Sequence, residues 1–112
     1  MARVAALIPD LLFGSQVVGA LQSAGHHVAL VPTLDGVTDA DVLVVDLTAD
    51  AAARIAHVTS VRETLAEVPT LAFYAHVETD VRELAEQAGF TLVVPRSRMA
   101  REGAALVTRL SE

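Results

Sequence analysis

Asp46 closes the run Val42-Leu43-Val44-Val45, and Asp10 follows an apolar run that stops at Ile8-Pro9. Carboxylates at the ends of two buried strands can support two kinds of chemistry. They can hold a hard cation such as Mg²⁺, which takes one or two carboxylates plus waters and phosphate oxygens. Phosphoryl transfer to a carboxylate is the other, and it depends on cations that neutralise the charge on the transferring oxygens. Arginine is the only strong cation available, because all eight Lys+Arg residues are Arg. Arg96 and Ser97 follow the run Leu92-Val93-Val94-Pro95, while Tyr74 and His76 flank Ala75 after another strand-forming run. His76 could pair with Asp46 or with a ligand. Gly14-Ser15, just after Phe13, could turn backbone N–H groups towards an anion.

Each of these residues also has a plainer role. Asp46 can cap the turn Thr48–Ala51 or the helix after it, and Ser15 and Ser97 can cap helices. Gly14, outside any GxGxxG spacing, suits tight helix–strand packing. His76 beside Glu78 and Asp80 suits the start of a helix. Tyr74 is either a gate that swings outwards or a half-buried aromatic. His26-His27 opens a strand with side chains in opposite directions, which argues against a shared metal site. The functional argument rests on convergence: Asp10, Gly14, Ser15, Asp46, His76 and Arg96 all fall at the carboxyl edge of the expected sheet. Open α/β sheets bind ligands at that edge.

Composition narrows the field further. At 112 residues the chain is read as one domain, residues 1–112, with a single core. The apolar fraction is 53% with 4% aromatics, so that core is built of Val, Leu and Ala. No apolar stretch is long enough to span a bilayer, and the start lacks the pattern of a signal peptide. Zero Cys removes disulfides, thiol nucleophiles and thiolate metal sites. Cytoplasmic residence is expected. The net charge of −6 argues against nucleic acid and against membrane surfaces. Arg96, Arg98 and Arg101 form the one basic cluster, better suited to an anion or a protein contact than to DNA.

These residues must be positioned by alternating strands and helices. Strands are expected at Ala2–Ile8, His27–Val31, Val42–Val45, Thr70–Tyr74 and Thr91–Val94. A helix over Leu11–Ala24, with Leu12, Val17, Val18 and Leu21 facing the sheet, would end at Gly25. Ala51–Glu67 is mostly helical with a break near Thr59-Ser60, Glu78–Ala88 is amphipathic and ends at Gly89, and Met99–Leu110 closes the chain. Strands separated by helices make a parallel sheet covered on both faces, a three-layer sandwich. Right-handed crossovers restrict it to flavodoxin-like or Rossmann-like order. The connection Val31–Val42 is too short for a full helix, so the second crossover helix is expected to be short or missing.

The chain resembles a response-regulator receiver domain over nearly its whole length. The resemblance is carried by Asp10 after the first strand, by Val-Leu-Val-Val-Asp at 42–46 and by Pro69-Thr-Leu-Ala-Phe-Tyr-Ala75. A helix ending Ala88-Gly89-Phe90 and a fifth strand running into Pro95 complete it. It implies a flavodoxin-like, five-stranded parallel sheet of order 2-1-3-4-5, and it places the phosphoacceptor aspartate at Asp46. It also exposes departures. Receivers carry two adjacent acids after the first strand, where Pro9 precedes a single Asp10. They have Ser or Thr at the end of the fourth strand, where Tyr74 stands before Ala75. Their lysine at the end of the fifth strand is replaced in the segment Val94-Pro95-Arg96. An Arg fork after a proline need not reach where a Lys ammonium would.

The expected function is therefore a stand-alone degenerate receiver, or pseudo-receiver, that signals by protein contacts without standard phosphorylation of Asp46. Family analogy adds a homodimer through the last helices, with Val81, Leu84, Val107 and Leu110 as candidate contacts. The alternative is a small-molecule, nucleotide or anion-binding module, with Gly14-Ser15 and Arg96-Ser97 as an anion clamp. An enzyme is not expected, since no nucleophile, base and orienter form a set. No cofactor or metal is expected; Asp10 and Asp46 are the pair from which a weak Mg²⁺ site would be built.

Overall fold

Val-rich runs form the sheet and Ala-rich segments cover it. The computed structural model describes residues 1–112. In chain order the elements are β1 (Arg3–Leu7), α1 (Leu11–Ser23), β2 (His27–Leu30), β3 (Val42–Asp46) and α2 (Ala51–Ser60). Then come α3 (Arg62–Leu65), β4 (Thr70–Tyr74), α4 (Thr79–Gln87), β5 (Leu92–Pro95) and α5 (Arg96–Leu110). All strands are parallel in the order β2-β1-β3-β4-β5. The expected flavodoxin-like order is the one observed. β3 and β4 are buried on both faces, which is why each reads as a continuous apolar run rather than an alternation.

The period-2 geometry of the strands splits the core in two. Val42, Val44, Leu71 and Phe73 meet Phe13, Val17 and Leu21 of α1 and Leu106 and Val107 of α5. Leu43, Val45, Ala72 and Tyr74 meet Val58 of α2, Leu65 of α3, and Val81 and Ala85 of α4. No helix is long and apolar enough to cross a membrane.

Both helix-ending glycines behave as expected. Gly25 and Gly89 take positive φ values of 92° and 88°, which a residue without Cβ adopts freely. After α1, His26 N–H donates to Leu21 O (3.1 Å) and Gly25 N–H to Gln22 O (2.9 Å). After α4, Phe90 N–H donates to Ala85 O (3.2 Å) and Gly89 N–H to Glu86 O (3.1 Å). Paired bonds of this pattern satisfy the last carbonyls of each helix. The turn after α1 also drives His26 inside. Its Nδ1 accepts the Ala2 N–H (3.1 Å) and its Nε2 lies 2.9 Å from Thr108 Oγ1, so it ties β1 to α5. His27 points the other way and is exposed.

Three expectations need correction. The sheet-facing stripe of α1 is Phe13, Val17 and Leu21, an i, i+4, i+8 row, whereas Leu12 is 74% exposed and Val18 only half-buried. Phe13 carries more apolar area than Leu12, and the helix rotates to bury it. α5 starts at Arg96 rather than Met99, because Pro95 ends β5 with φ −62° and ψ 151° and the chain turns directly into the helix. Asp46 lies within β3 as its last residue, not beyond it.

The missing crossover is confirmed. Val31–Asp41 contains no helix. Its anchor is Leu34, buried in the face covered by α2, α3 and α4. His57 of α2 holds the same turn: its Nε2 accepts the Leu34 N–H at 3.0 Å and sits 3.2 Å from Thr33 Oγ1. The long helix Ala51–Glu67 is broken as expected, although at Val61, into α2 and α3.

Candidate functional site

Asp10 caps α1, its Oδ1 accepting the Phe13 N–H at 3.0 Å. Its Oδ2 lies 3.6 Å from Arg96 Nη2, with both side chains about 50% exposed. An exposed pair of this kind contributes under about 1 kcal/mol. Arg96 is placed more firmly by its stem and by Phe13, whose ring centroid lies 4.2 Å from the guanidinium carbon. Phe13 in turn meets Phe73 edge-on, centroids 5.1 Å apart. A continuous stack therefore runs from the core of β4 to the Asp10–Arg96 pair at the surface.

Asp46 is the register partner of Phe73 and shares its face of the sheet. The residue as a whole is 4% exposed. Oδ1 accepts both the Thr48 N–H (2.7 Å) and the Thr48 hydroxyl (2.5 Å), closing a turn within β3's own exit loop. The structural role foreseen for Asp46, capping the turn at Thr48, is the observed one. Arg54 of α2 is the cation nearest its backbone. Its Nη1 donates to Asp46 O at 3.2 Å and, more weakly, to Ala49 O at 3.5 Å. The sequence reading missed Arg54. Its signal was slight: the sole charge inside Ala51–Ala56, four residues after Asp50.

The remaining candidates separate. Tyr74 points to the opposite face from Phe73 and is buried against the α2–α4 layer, in the inward position. Gly14 N–H is taken by Asp10 O at 2.8 Å. A Cβ on Gly14 would stand 3.4 Å from Leu30 δ-carbons and 3.5 Å from Ile8 O, so close packing explains it. Ser15 is exposed in α1 and caps nothing, because Asp10 holds the cap position. Ser97 lies in the first turn of α5, where the cap position is Pro95. His76 is exposed. His76, Arg96, Ser97 and Phe13 do meet, with Ala75 and Ala100, around a depression of about 300 Å³.

Gly14 and Ser15 do not line that depression, and Arg96 within it pairs with Asp10 and stacks on Phe13. Asp10 is ion-paired, Asp46 Oδ1 is occupied by Thr48, and no three His, Asp or Glu side chains come together.

No family model matches the chain, and no curated protein matches it in sequence. Solved structures do. The receiver domain of a Francisella response regulator superposes with a TM-score of 0.83 at 14% identity, covering 99% of this chain and 97% of that one. The fold is that of a response-regulator receiver domain. A response regulator from Thermotoga maritima gives a TM-score of 0.80 at 16% identity, over 97% and 96% of the two chains. An orphan response regulator of H. pylori gives 0.80 at 14% identity, over 98% and 96%. At these identities the likeness is one of fold.

Val94, the residue before Pro95 in β5, is buried among the side chains that α1 and α5 cover. Of the expected dimer contacts, Val81 and Val107 are buried in the two halves of the core. Leu110 packs partly against the core, and Leu84 alone is openly available at 48% exposure.

Proposed function

We propose that this receiver-fold domain is a regulatory module that works through protein–protein contacts without phosphorylation of Asp46. The observation that supports this reading is the lack of a free cation at Asp46, whose Oδ1 is bound by both polar groups of Thr48. A phosphoryl acceptor needs an accessible oxygen and cations around the transferring group. Here no lysine exists in the chain, Arg96 is stacked on Phe13, and Arg54 is committed to carbonyl oxygens. The same reading takes the module as non-enzymatic: His57 holds the Leu34 turn, and no nucleophile, base and orienter are hydrogen-bonded into a set.

Losing one preorganised group that stabilises developing charge slows reactions by roughly 10²–10³-fold. Incubation with acetyl phosphate and Mg²⁺, followed by intact-mass measurement, is accordingly expected to leave the protein unmodified over hours. A stable added phosphoryl group that disappears in Asp46→Asn overturns the reading.

The same proposal includes self-association across α4 and α5. Leu84, exposed on α4, is the apolar contact left free by folding, since Val81 and Val107 face inwards. Sedimentation velocity is expected to show a dimer that Leu84→Arg dissociates. A parent protein that stays monomeric at high concentration removes the dimer from the proposal.

A further inference from the structure

The edge strand β2 is open in two respects. His27 N–H donates to Ala2 O and Val31 N–H to Ala6 O, both at 2.9 Å, so these residues turn their backbone groups towards β1. In a parallel ladder the N–H and C=O of one residue point the same way, and successive residues alternate. Val28 and Leu30 therefore direct their N–H and C=O groups outwards, where β2 has no further strand beside it. Sheets blunt such edges with charged side chains, bulges or a covering helix. β2 is short at four residues, but no charge or helix guards it: His26–Leu34 contains no Lys, Arg, Asp or Glu, and the connection that would supply a crossover helix has none. Pro32 stops the strand but does not shield it.

Beside this edge the helix-free connection leaves a groove of about 430 Å³, floored by Ala5, Ala29 and Val31 and walled by Val37, Thr38 and Asp39. Asp39 lines the groove with Arg3. Asp41 is exposed at the end of the same connection with Oδ2 accepting the Arg3 N–H at 2.8 Å, and Asp35 is exposed on the neighbouring depression beside Pro32 and His57. An apolar slot, unpaired strand groups and an acidic rim together define one kind of occupant.

We propose that β2 is a docking edge for an extended segment of a protein partner, one that alternates apolar and basic residues and adds a sixth strand. Main-chain bonds to Val28 and Leu30 hold the segment, an apolar side chain fills the groove over Ala29, and Lys or Arg side chains meet the acidic rim. This is recognition by strand addition, where backbone bonds supply affinity and side-chain pockets supply choice. A second copy fits less well. Two-fold pairing of β2 would bring two acidic rims together in a chain of net charge −6, and like charges across an interface are strongly disfavoured. The proposal is independent of the fate of Asp46 and of the α4–α5 contact, because it uses the opposite end of the sheet.

The test titrates a blocked hexapeptide of alternating Val and Arg into ¹⁵N-labelled protein. Expected are shift changes centred on Val28, Leu30 and the groove, with slowed exchange of the Val28 and Leu30 amides. A peptide with N-methylated backbone, or with Asp in place of Arg, is expected not to bind. Val28→Pro, which removes one outward N–H at a position where an edge strand tolerates proline, should weaken binding about tenfold. Asp35→Asn with Asp39→Asn, surface changes that leave the strand intact, should weaken it to a similar degree. Equal binding of the N-methylated peptide overturns the proposal in favour of charge attraction alone. Edge pairing between copies without peptide, or no response of β2 at all, overturns it as well.

Discussion

Phe73→Ala is expected to lower the free energy of unfolding by about 3–5 kcal/mol, the usual cost of emptying a large aromatic site in a packed core. The side chain is fully buried on β4, a strand flanked on both sides by others, and it lies beneath both α1 and α5. Its removal takes away apolar burial and leaves a cavity whose walls come from a rigid sheet, so collapse around it is limited. Domains of this size are stable by only about 5–15 kcal/mol, so the variant should retain little margin. Urea unfolding followed by circular dichroism measures the change. The substitution also has a local signature. Phe73 seats Phe13, and Phe13 is the platform for Arg96. The Arg96 guanidinium should therefore lose its ring-current shift in NMR spectra, although the exposed Asp10–Arg96 pair itself contributes almost nothing to stability. A cost below about 1 kcal/mol would mean that the two aromatic rings are not packed as described.

Leu34→Ala is expected to cost about 2–5 kcal/mol, a range set by how far the site can collapse. This residue does the work that a crossover helix does elsewhere in the fold. It is the one fully buried side chain between Val31 and Asp41, reaching the face shared by Leu43, Val45 and Leu47. The turn around it is held by His57 through the Leu34 N–H, with the Asp35 N–H donating to Thr33 Oγ1 and the Val37 N–H to Leu34 O. With the anchor gone, these few hydrogen bonds should not keep the segment in place, since each contributes only about 1 kcal/mol net. Hydrogen exchange should show amides 33–37 losing protection well before β1 and β3 do. Val37→Ala, at a half-buried position on the same segment, should cost much less. Equal costs at the two positions would show that the segment is held diffusely and not by Leu34.

The fold was largely legible because its signals are local. Val42–Val45 is β-branched and Leu-rich with no polar interruption until Asp46, as a strand covered on both faces requires. Gly25 and Gly89 follow apolar-periodic helices, where a positive φ is needed to satisfy the last carbonyls. The interval between Val31 and Val42 is simply too short for a helix and two turns. The helix face of α1 was read one position off, at Leu12 rather than Phe13, because a single-residue shift is within the ambiguity of a 3.6-residue period.

The candidate site was legible only as a place. Asp10, Asp46, His76 and Arg96 were correctly assigned to the carboxyl edge, since chain order in a parallel sheet puts every strand exit on one side. What each residue does there was not readable. Tyr74 and Phe73 are neighbours in sequence, and pleating sends one into each half of the core. Thr48 claims the Asp46 carboxylate within a turn whose path no periodicity describes. Arg54 reaches back from α2 to the Asp46 carbonyl, a contact that depends on the angle at which α2 leaves the strand.

The sequence by itself determined the succession of strands and helices, the absence of a second crossover helix, and the position of Asp46 at the end of a central strand. It also removed lysine from that site, a fact of composition that no conformation can reverse. Only the tertiary structure decided whether Asp46 is free or occupied, which arginine stands near it, and which side chains the last helices leave exposed. Those outcomes depend on packing between segments far apart in the chain, such as His26 with Thr108, 82 residues away. Local pattern specifies which groups lie at the edge. Asp46 meets Thr48, two residues on, within its own turn, whereas packing across the core decides the partners of groups such as His26 and Arg96.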